Sequence, residues 1–386
     1  MALTTVSSDR LSTNVKNTNF TAAEKQDLTD DILPLAGQLG NRNLIINGAM
    51  QVAQRGTSQA SITTSGFYTV DRFATSISGL GTWTQSQDTT VPTAKGFTKS
   101  LKMDVTTADS SPAAGDFCVI QYKIEAQDLQ LLKYGTSSAE TITLKFHVRS
   151  PKTGTHIVHI YQNDGTRHIS KAYTISSADT YQEVTINIEG DTGGTINNDN
   201  GIGLQVEFFL GAGTNFTSGT LATSWAGYTQ ANSAVGQVNC ADNTANNFFI
   251  TGVQLEVGTV ATDFEHRSFG QELALCQRYF NRYNSETVNG HFFLAAGYNS
   301  SNAGARGSFP FTVPMRAIPS FALSNLSHFQ ELGSGKAMSS ITLADSGTGT
   351  NLTGLTVTFS SNTTAGFAHV IRAGSTSAYF EFSAEL

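Results

Sequence analysis

TITLKFHVRSPKTGTHIV, residues 141–158, decides the architecture. Ile142, Leu144, Phe146 and Val148 fall on every second position, the period at which a β-strand turns successive side chains to opposite faces. After the polar break SPKTG the chain starts a second run, so the stretch reads as a strand pair. The same alternation recurs on either side. Leu101, Met103 and Val105 lie upstream; Val184, Ile186 and Ile188 lie downstream, followed by Ile202, Leu204, Val206, Phe208 and Leu210. Each run buries one face of a strand. A Gly/Thr/Ser/Asn-rich excursion from Gly211 to Asn247 precedes Phe249, Ile250, Val253, Leu255 and Val257, which read as a returning strand. Between Lys123 and Tyr134, KIEAQDLQLLKY predicts a short helix with Leu129, Leu132 and Lys133, ended by Gly135 in a left-handed conformation. The fold class expected is mainly β: a jelly-roll-like antiparallel β-sandwich over residues 43–268, with a short N-terminal helical leader and a small C-terminal β-rich module.

Residues 1–42 form the leader. Thr21 and Glu24 make a capping-box pattern, Leu28 and Ile32 follow at helical spacing, and Pro34 stops the helix. A helix of about 12 residues is marginal alone, so Leu28, Ile32 and Leu35 are expected to attach the chain to a larger body. At the other end, residues 269–386 comprise a linking helix and the β-rich module. Ser268 and Gln271 form a second capping box, with Leu273, Cys276 and Phe280 lining one helix face. Residues 284–386 hold only nine Asp, Glu, Lys or Arg, a surface expected to be buried in part between chains, with Phe292, Phe293, Phe309 and Phe311 as its oligomer core.

Composition excludes several function classes. The 386 residues are 14% charged with a formal net charge of −7, and no basic run offers the counterion-releasing surface of a nucleic-acid binder. Disorder is excluded by 24 Phe and 11 Tyr among short apolar runs. The first 30 residues carry Asp9, Arg10, Lys16, Glu24, Lys25, Asp27 and Asp30 and lack the apolar core of a secretory signal. No apolar stretch approaches the roughly 20 residues of a membrane-spanning helix, so no membrane insertion is expected. Cys118, Cys240 and Cys276 have no CxxC spacing and read as buried thiols.

Motifs for chemistry are weak. No GxSxG, HExxH or phosphate-loop pattern occurs, and GSGK at 333–336 lacks both the upstream Gly and the following Ser or Thr. Asp116, Glu125, Asp164, Glu183, Glu207 and Glu256 are scattered without a recognisable pairing for glycoside hydrolysis. His156 and His159, three apart on a strand, point to opposite faces and cannot share a metal by themselves. DTGGTINNDN at 191–200 lacks a known calcium-loop register and reads as a connector. Asp71 and Arg72 read as a structural pair. Glu256, Asp263, Glu265, His266 and Arg267 read as a polar knot where the returning strand leaves the sandwich. The expectation is no enzyme, no catalytic residues, no metal and no cofactor.

Two stretches carry a resemblance: NLIINGAMQVAQRG at 43–56 followed by YTVDRF at 68–73, and NFFITGVQLEVGTVATDFEHRSFGQELALCQRYF at 247–280. Together with KIEAQDLQLL and the strand pair they are similar to a module recurrent in bacteriophage tail fibres and related virion proteins of marine short-tailed phages, over roughly residues 41–283. The resemblance implies a carbohydrate-binding-module-like sandwich on a virion, assembled in the host cytoplasm within a homotrimeric fibre. It implies a fibre that reaches outward toward the host surface; host surface polysaccharide, lipopolysaccharide-like, is expected as the receptor, and tail adaptor or nozzle proteins are expected as partners of the leader. A capsid knob or decoration protein and a polysaccharide-degrading tailspike stay open as alternatives. Sugar binding needs aromatic faces beside amides and hydroxyls, and Trp83, Trp225, Tyr228 and Tyr298 are the glycan-binding candidates.

Overall fold

The alternating runs pair into two antiparallel sheets whose inner faces meet. The first, in spatial order, is β1 (Ser58–Ile62), β4 (Thr82–Asp88), β5 (Ser100–Thr107), β13 (Asn247–Val257), β7 (Ile142–Arg149) and β10 (Gln182–Ile188). The second is β12 (Ala226–Gly227), β9 (Arg167–Ile175), β8 (Gly154–Gln162), β11 (Ile202–Ala212), β6 (Phe117–Glu125), β3 (Phe73–Ser78) and β2 (Gly66–Phe67). The chain crosses repeatedly between them, the jelly-roll habit. The computed structural model describes residues 42–285, 296–301, 304–331, 337–344, 348–360 and 368–386, so Leu28, Ile32, Leu35, Phe292 and Phe293 lie outside the described residues. Residues Leu44–Leu386 form one compact unit.

The inner faces are the predicted ones. Phe146 of the first sheet meets Phe208 and Tyr173 of the second edge-on, at centroid distances of 5.1 and 5.2 Å. His156 points inward and stacks on Tyr173 at 5.5 Å, while His159 points outward to Glu207. The three cysteines are buried and free. The segment expected to be a helix ending at Gly135 is a 3₁₀ helix, Ala126–Leu132, closed by Lys133 in the left-handed region (φ 54°). The Lys133 N–H bonds to the Gln130 carbonyl, a three-residue closure that ends the helix two residues early.

The two resembling stretches meet in space. The Asn47 side chain donates to the carbonyls of Val52 and Asp71 and accepts from the Val52 N–H, tying NGAMQV to YTVDRF. The Asn47 N–H donates to Glu272 in the helix Phe269–Gln277. Arg55 lies over the Phe280 ring at 3.5 Å and Arg72 over the Tyr279 ring at 3.4 Å. Asp71 and Arg72 are structural, but not as a pair with each other. Asp71 accepts from the Gln54 backbone N–H and side chain, whereas Arg72 pairs with Glu385. The polar knot forms in part: Arg267 bridges Glu265 and Glu272, whereas Glu256 accepts from the Thr262 N–H and hydroxyl and His266 packs on Phe97 and Phe264. The helix opens on the predicted capping box, Ser268 with Gln271. Ser268→Ala should cost about 1 kcal/mol and Ser268→Asn much less, read as a shift in denaturant midpoint at constant slope.

Beyond the helix, β14 (Phe280–Asn284), β22 (Tyr379–Ser383) and β17 (Ser320–Leu323) form a three-stranded sheet. A six-stranded sheet runs β18 (Phe329–Glu331), β21 (Ala368–Ala373), β15 (Ala296–Ser301), β16 (Gly304–Pro310), β20 (Leu352–Phe359) and β19 (Met338–Leu343). This module has a core of its own, with Phe329 stacked on Phe380 at 4.7 Å. Phe311, expected in an oligomer core, packs within its own chain, its ring meeting Phe382 at 5.1 Å. Phe309 and Tyr298 are strand positions on β16 and β15. After β22 the chain returns to the sandwich, where Glu385 meets Arg72 and Arg55 and the Leu386 carbonyl accepts from Lys123.

Candidate binding groove

The outward positions of β7 are the complement of its core run: Lys145, His147 and Arg149. The β7–β10 ladder sets Glu183 directly opposite His147. Glu183 thereby becomes the centre of a cationic ring, with Oε1 3.2 Å from Lys145 Nζ and Oε2 3.2 Å from His147 Nε2 and 3.5 Å from Lys95 Nζ. Arg149 pairs with Asp179 at 2.9 Å, donates to its carbonyl and lies over the Phe249 ring at 4.9 Å. The Tyr181 hydroxyl donates to the Thr90 carbonyl at 2.7 Å and latches the segment after β4 across this face.

A cleft of about 510 Å³ opens between that segment and β10, lined by Thr90, Pro92, Thr180 and Tyr181 above the charged floor. A second of about 390 Å³ shares Lys95, His147 and Glu183 and continues to Phe264 and His266. Together they make one groove along β7, within the size range of small-ligand sites. Gly252 permits its middle. It sits at φ +64° in a bulge of β13, and a Cβ there would lie 2.5 Å from Phe97 Cζ and 3.0 Å from His147 Nδ1. Burial pushes the His147 imidazole pKa down, whereas Glu183, although burial works the other way, is held below the usual carboxylate range by Lys145, His147 and Lys95. A carboxylate so held accepts hydrogen bonds and is a poor proton donor.

The sequence candidates separate. Trp83 is corrected outright: it is fully buried in the sandwich core, its indole N–H donating to the Leu80 carbonyl at 2.7 Å, and offers no face to a ligand. Trp225 and Tyr228 flank β12 and turn to opposite faces of the second sheet, Trp225 toward the sandwich core and Tyr228 outward. Trp225 is half-buried, spends its N–H on the Glu189 carbonyl and packs on Tyr134. Tyr228 is exposed and meets Tyr161 and His168 at 5.1 and 5.2 Å. Beneath it a hydrogen-bond chain has one direction: the Thr229 N–H donates to His168 Nε2, His168 Nδ1–H to His159 Nε2, and His159 Nδ1–H to Glu207. The nitrogens that His159 and His168 turn to each other are spent on this chain and are not left for a metal. Among the described residues no three His, Cys, Asp or Glu are placed to hold a metal ion.

Sequence reasoning missed Lys145, His147 and Arg149, although the signal was present as every second residue of TLKFHVR.

No family model matches the chain, and no curated protein sequence does. Among solved structures it is similar to the enzymatically active domain of bacteriophage CBA120 tailspike protein 4, at 13% identity and a TM-score of 0.30, over 56% of this chain and 22% of that one. A family 11 carbohydrate-binding module from Clostridium thermocellum in complex with a β-1,3-1,4-mixed-linked tetrasaccharide gives 12% identity and a TM-score of 0.27, over 54% and 99% of the two chains. TmCBM61 in complex with β-1,4-galactotriose gives 10% and 0.27, over 56% and 100%. The chain thus spans about a fifth of the length of the tailspike it matches. At this level of similarity none of these structures transfers a ligand or an activity to the chain.

Proposed function

We propose that the chain is a structural virion protein of the tail-fibre kind, which attaches to the bacterial surface by reversible, non-catalytic recognition of glycan. The observation that carries this reading is the groove along β7, where hydroxyls, paired ions and a half-buried tyrosine line a concavity of about 510 Å³. Sugars present hydroxyls that donate and accept, which such a lining satisfies. The ionised state of Glu183 supports binding without chemistry. Asp71, whose burial raises its pKa to about 6, has the proton affinity of a general acid but is sealed from solvent. The resemblance supports the virion setting and the homotrimer, and the attachment role of residues 1–42 rests on the capping-box helix that the leader's sequence spells, marginal alone. Weak single contacts multiplied over several copies give the avidity that adsorption requires.

The test is retention of the full chain on immobilised bacterial surface polysaccharides. Arg149→Ala should weaken retention about tenfold or more, because a charge-assisted hydrogen bond of about 1.5–3 kcal/mol is lost. Unchanged retention with an unchanged circular dichroism spectrum would remove the groove from the function.

A further inference from the structure

We infer that the groove takes uncharged, hydroxyl-rich sugar units and turns away acidic ones, a refinement that rests on the glycan reading above. Its fixed charges close on one another. Lys95 and Lys145 both face Glu183, at 3.5 and 3.2 Å, and Arg149 faces Asp179 at 2.9 Å. With Asp263 at the far end, three cations stand against three carboxylates in the lining. A ligand carboxylate or phosphate seated near Lys145 must therefore displace Glu183 or stand beside it. Two like charges held that close repel strongly at the effective dielectric of a protein surface. The chain as a whole adds to this, since a net charge of −7 lowers the local concentration of anionic polymer.

A hydroxyl meets the opposite situation. It donates to the outward lone pairs of Glu183, whose side chain is 36% exposed, and accepts from a lysine or arginine N–H, leaving both ion pairs in place. His147 adds to the floor without adding charge. It is 5% exposed, its Nε2 lies 3.2 Å from Glu183 Oε2, and burial pushes the imidazole toward its neutral form.

Electrophoresis of the full chain through gels holding neutral glucans, galactans or mannans, against gels holding polygalacturonate or hyaluronate, tests the inference. Neutral polymers should retard it with an affinity about tenfold tighter, and raising salt from about 50 to about 500 mM should change that less than about twofold. Glu183→Gln strips Lys95 and Lys145 of their shared carboxylate. The variant should gain retardation by polygalacturonate that disappears at high salt; Glu183 lies half-exposed on an edge strand, so its exchange spares the fold. Retardation of the unsubstituted chain by acidic and not neutral polymers overturns the inference and leaves glycan binding standing. Retardation by none of them overturns the glycan reading, and the inference falls with it.

Discussion

Glu385→Ala lowers the stability of the Leu44–Leu386 unit by about 3–5 kcal/mol, because it strands a buried guanidinium. Arg72 is 1% exposed, and its two outlets are Glu385 and the Lys123 carbonyl at 2.7 Å. The guanidinium is also sandwiched against Tyr279 and Tyr122, at 3.4 and 5.3 Å from the ring centroids, so it has no path to water. Its backbone sits in the left-handed region at φ 72°, a conformation that costs a residue with a Cβ about 1–2 kcal/mol. Two local costs at one residue persist only where the surroundings over-determine them. Removing both charges, in Arg72→Met with Glu385→Leu, should recover much of the loss, since an apolar pair of similar volume leaves nothing unpaired. Denaturant midpoints of the two variants decide it. If the single variant unfolds within about 1 kcal/mol of the parent, the return of the chain to the sandwich contributes nothing to cohesion.

Acid is the second large lever, and histidines set its sign. His156 and His168 are fully buried, and burial pushes both pKa values from 6.5 down to about 4. Between pH 6.5 and 4 the unfolded chain binds protons that the folded chain refuses, so stability is full above 6.5 and falls as pH drops through this window. The loss is about 2–3 kcal/mol for each histidine. Asp71 opposes it. Its folded pKa of about 6 stands above the unfolded 3.8, so over that interval the folded state binds the extra proton and gains stability as pH falls. Two histidines outweigh one aspartate, and Glu125 and Glu207, held low by Arg278 and His159 against the pull of burial, lose their contribution at still lower pH. The expected result is a thermal midpoint that drops steadily from pH 7 to pH 4.5. His156→Phe, which keeps the stack on Tyr173, should remove about half the slope. A midpoint flat over that range would mean that the buried rings carry protons in the folded state.

The sandwich was legible wherever core residues alternate, because a strand with one dry face writes its period into the sequence. Leu144, Phe146 and Val148 did so, and so did Ser268 with Gln271 at the helix start. Trp83 was not legible as core because its inward neighbour on β4 is Gln85, fully buried and bonded to Thr69 and Thr75. A polar residue in the dry face hid the period, and the tryptophan was left looking like a surface ring. The groove was half legible. Lys145, His147 and Arg149 form a local stripe, but Lys95 and Glu183 join them only through ladder register and a loop that crosses the sheet. Glu385 lies 313 residues from Arg72, and no local pattern announces such a partner.

The place of β13 governs the order in which the protein can be made. It fills the slot between β5 and β7, so the first sheet stays in two pieces until residue 257 has left the ribosome, about ten seconds after β5 has emerged. Until then both flanking strands present unpaired edges. Pairings this distant in sequence also close slowly once the partners exist. The first sheet therefore closes late in synthesis, after most of the sandwich has already emerged.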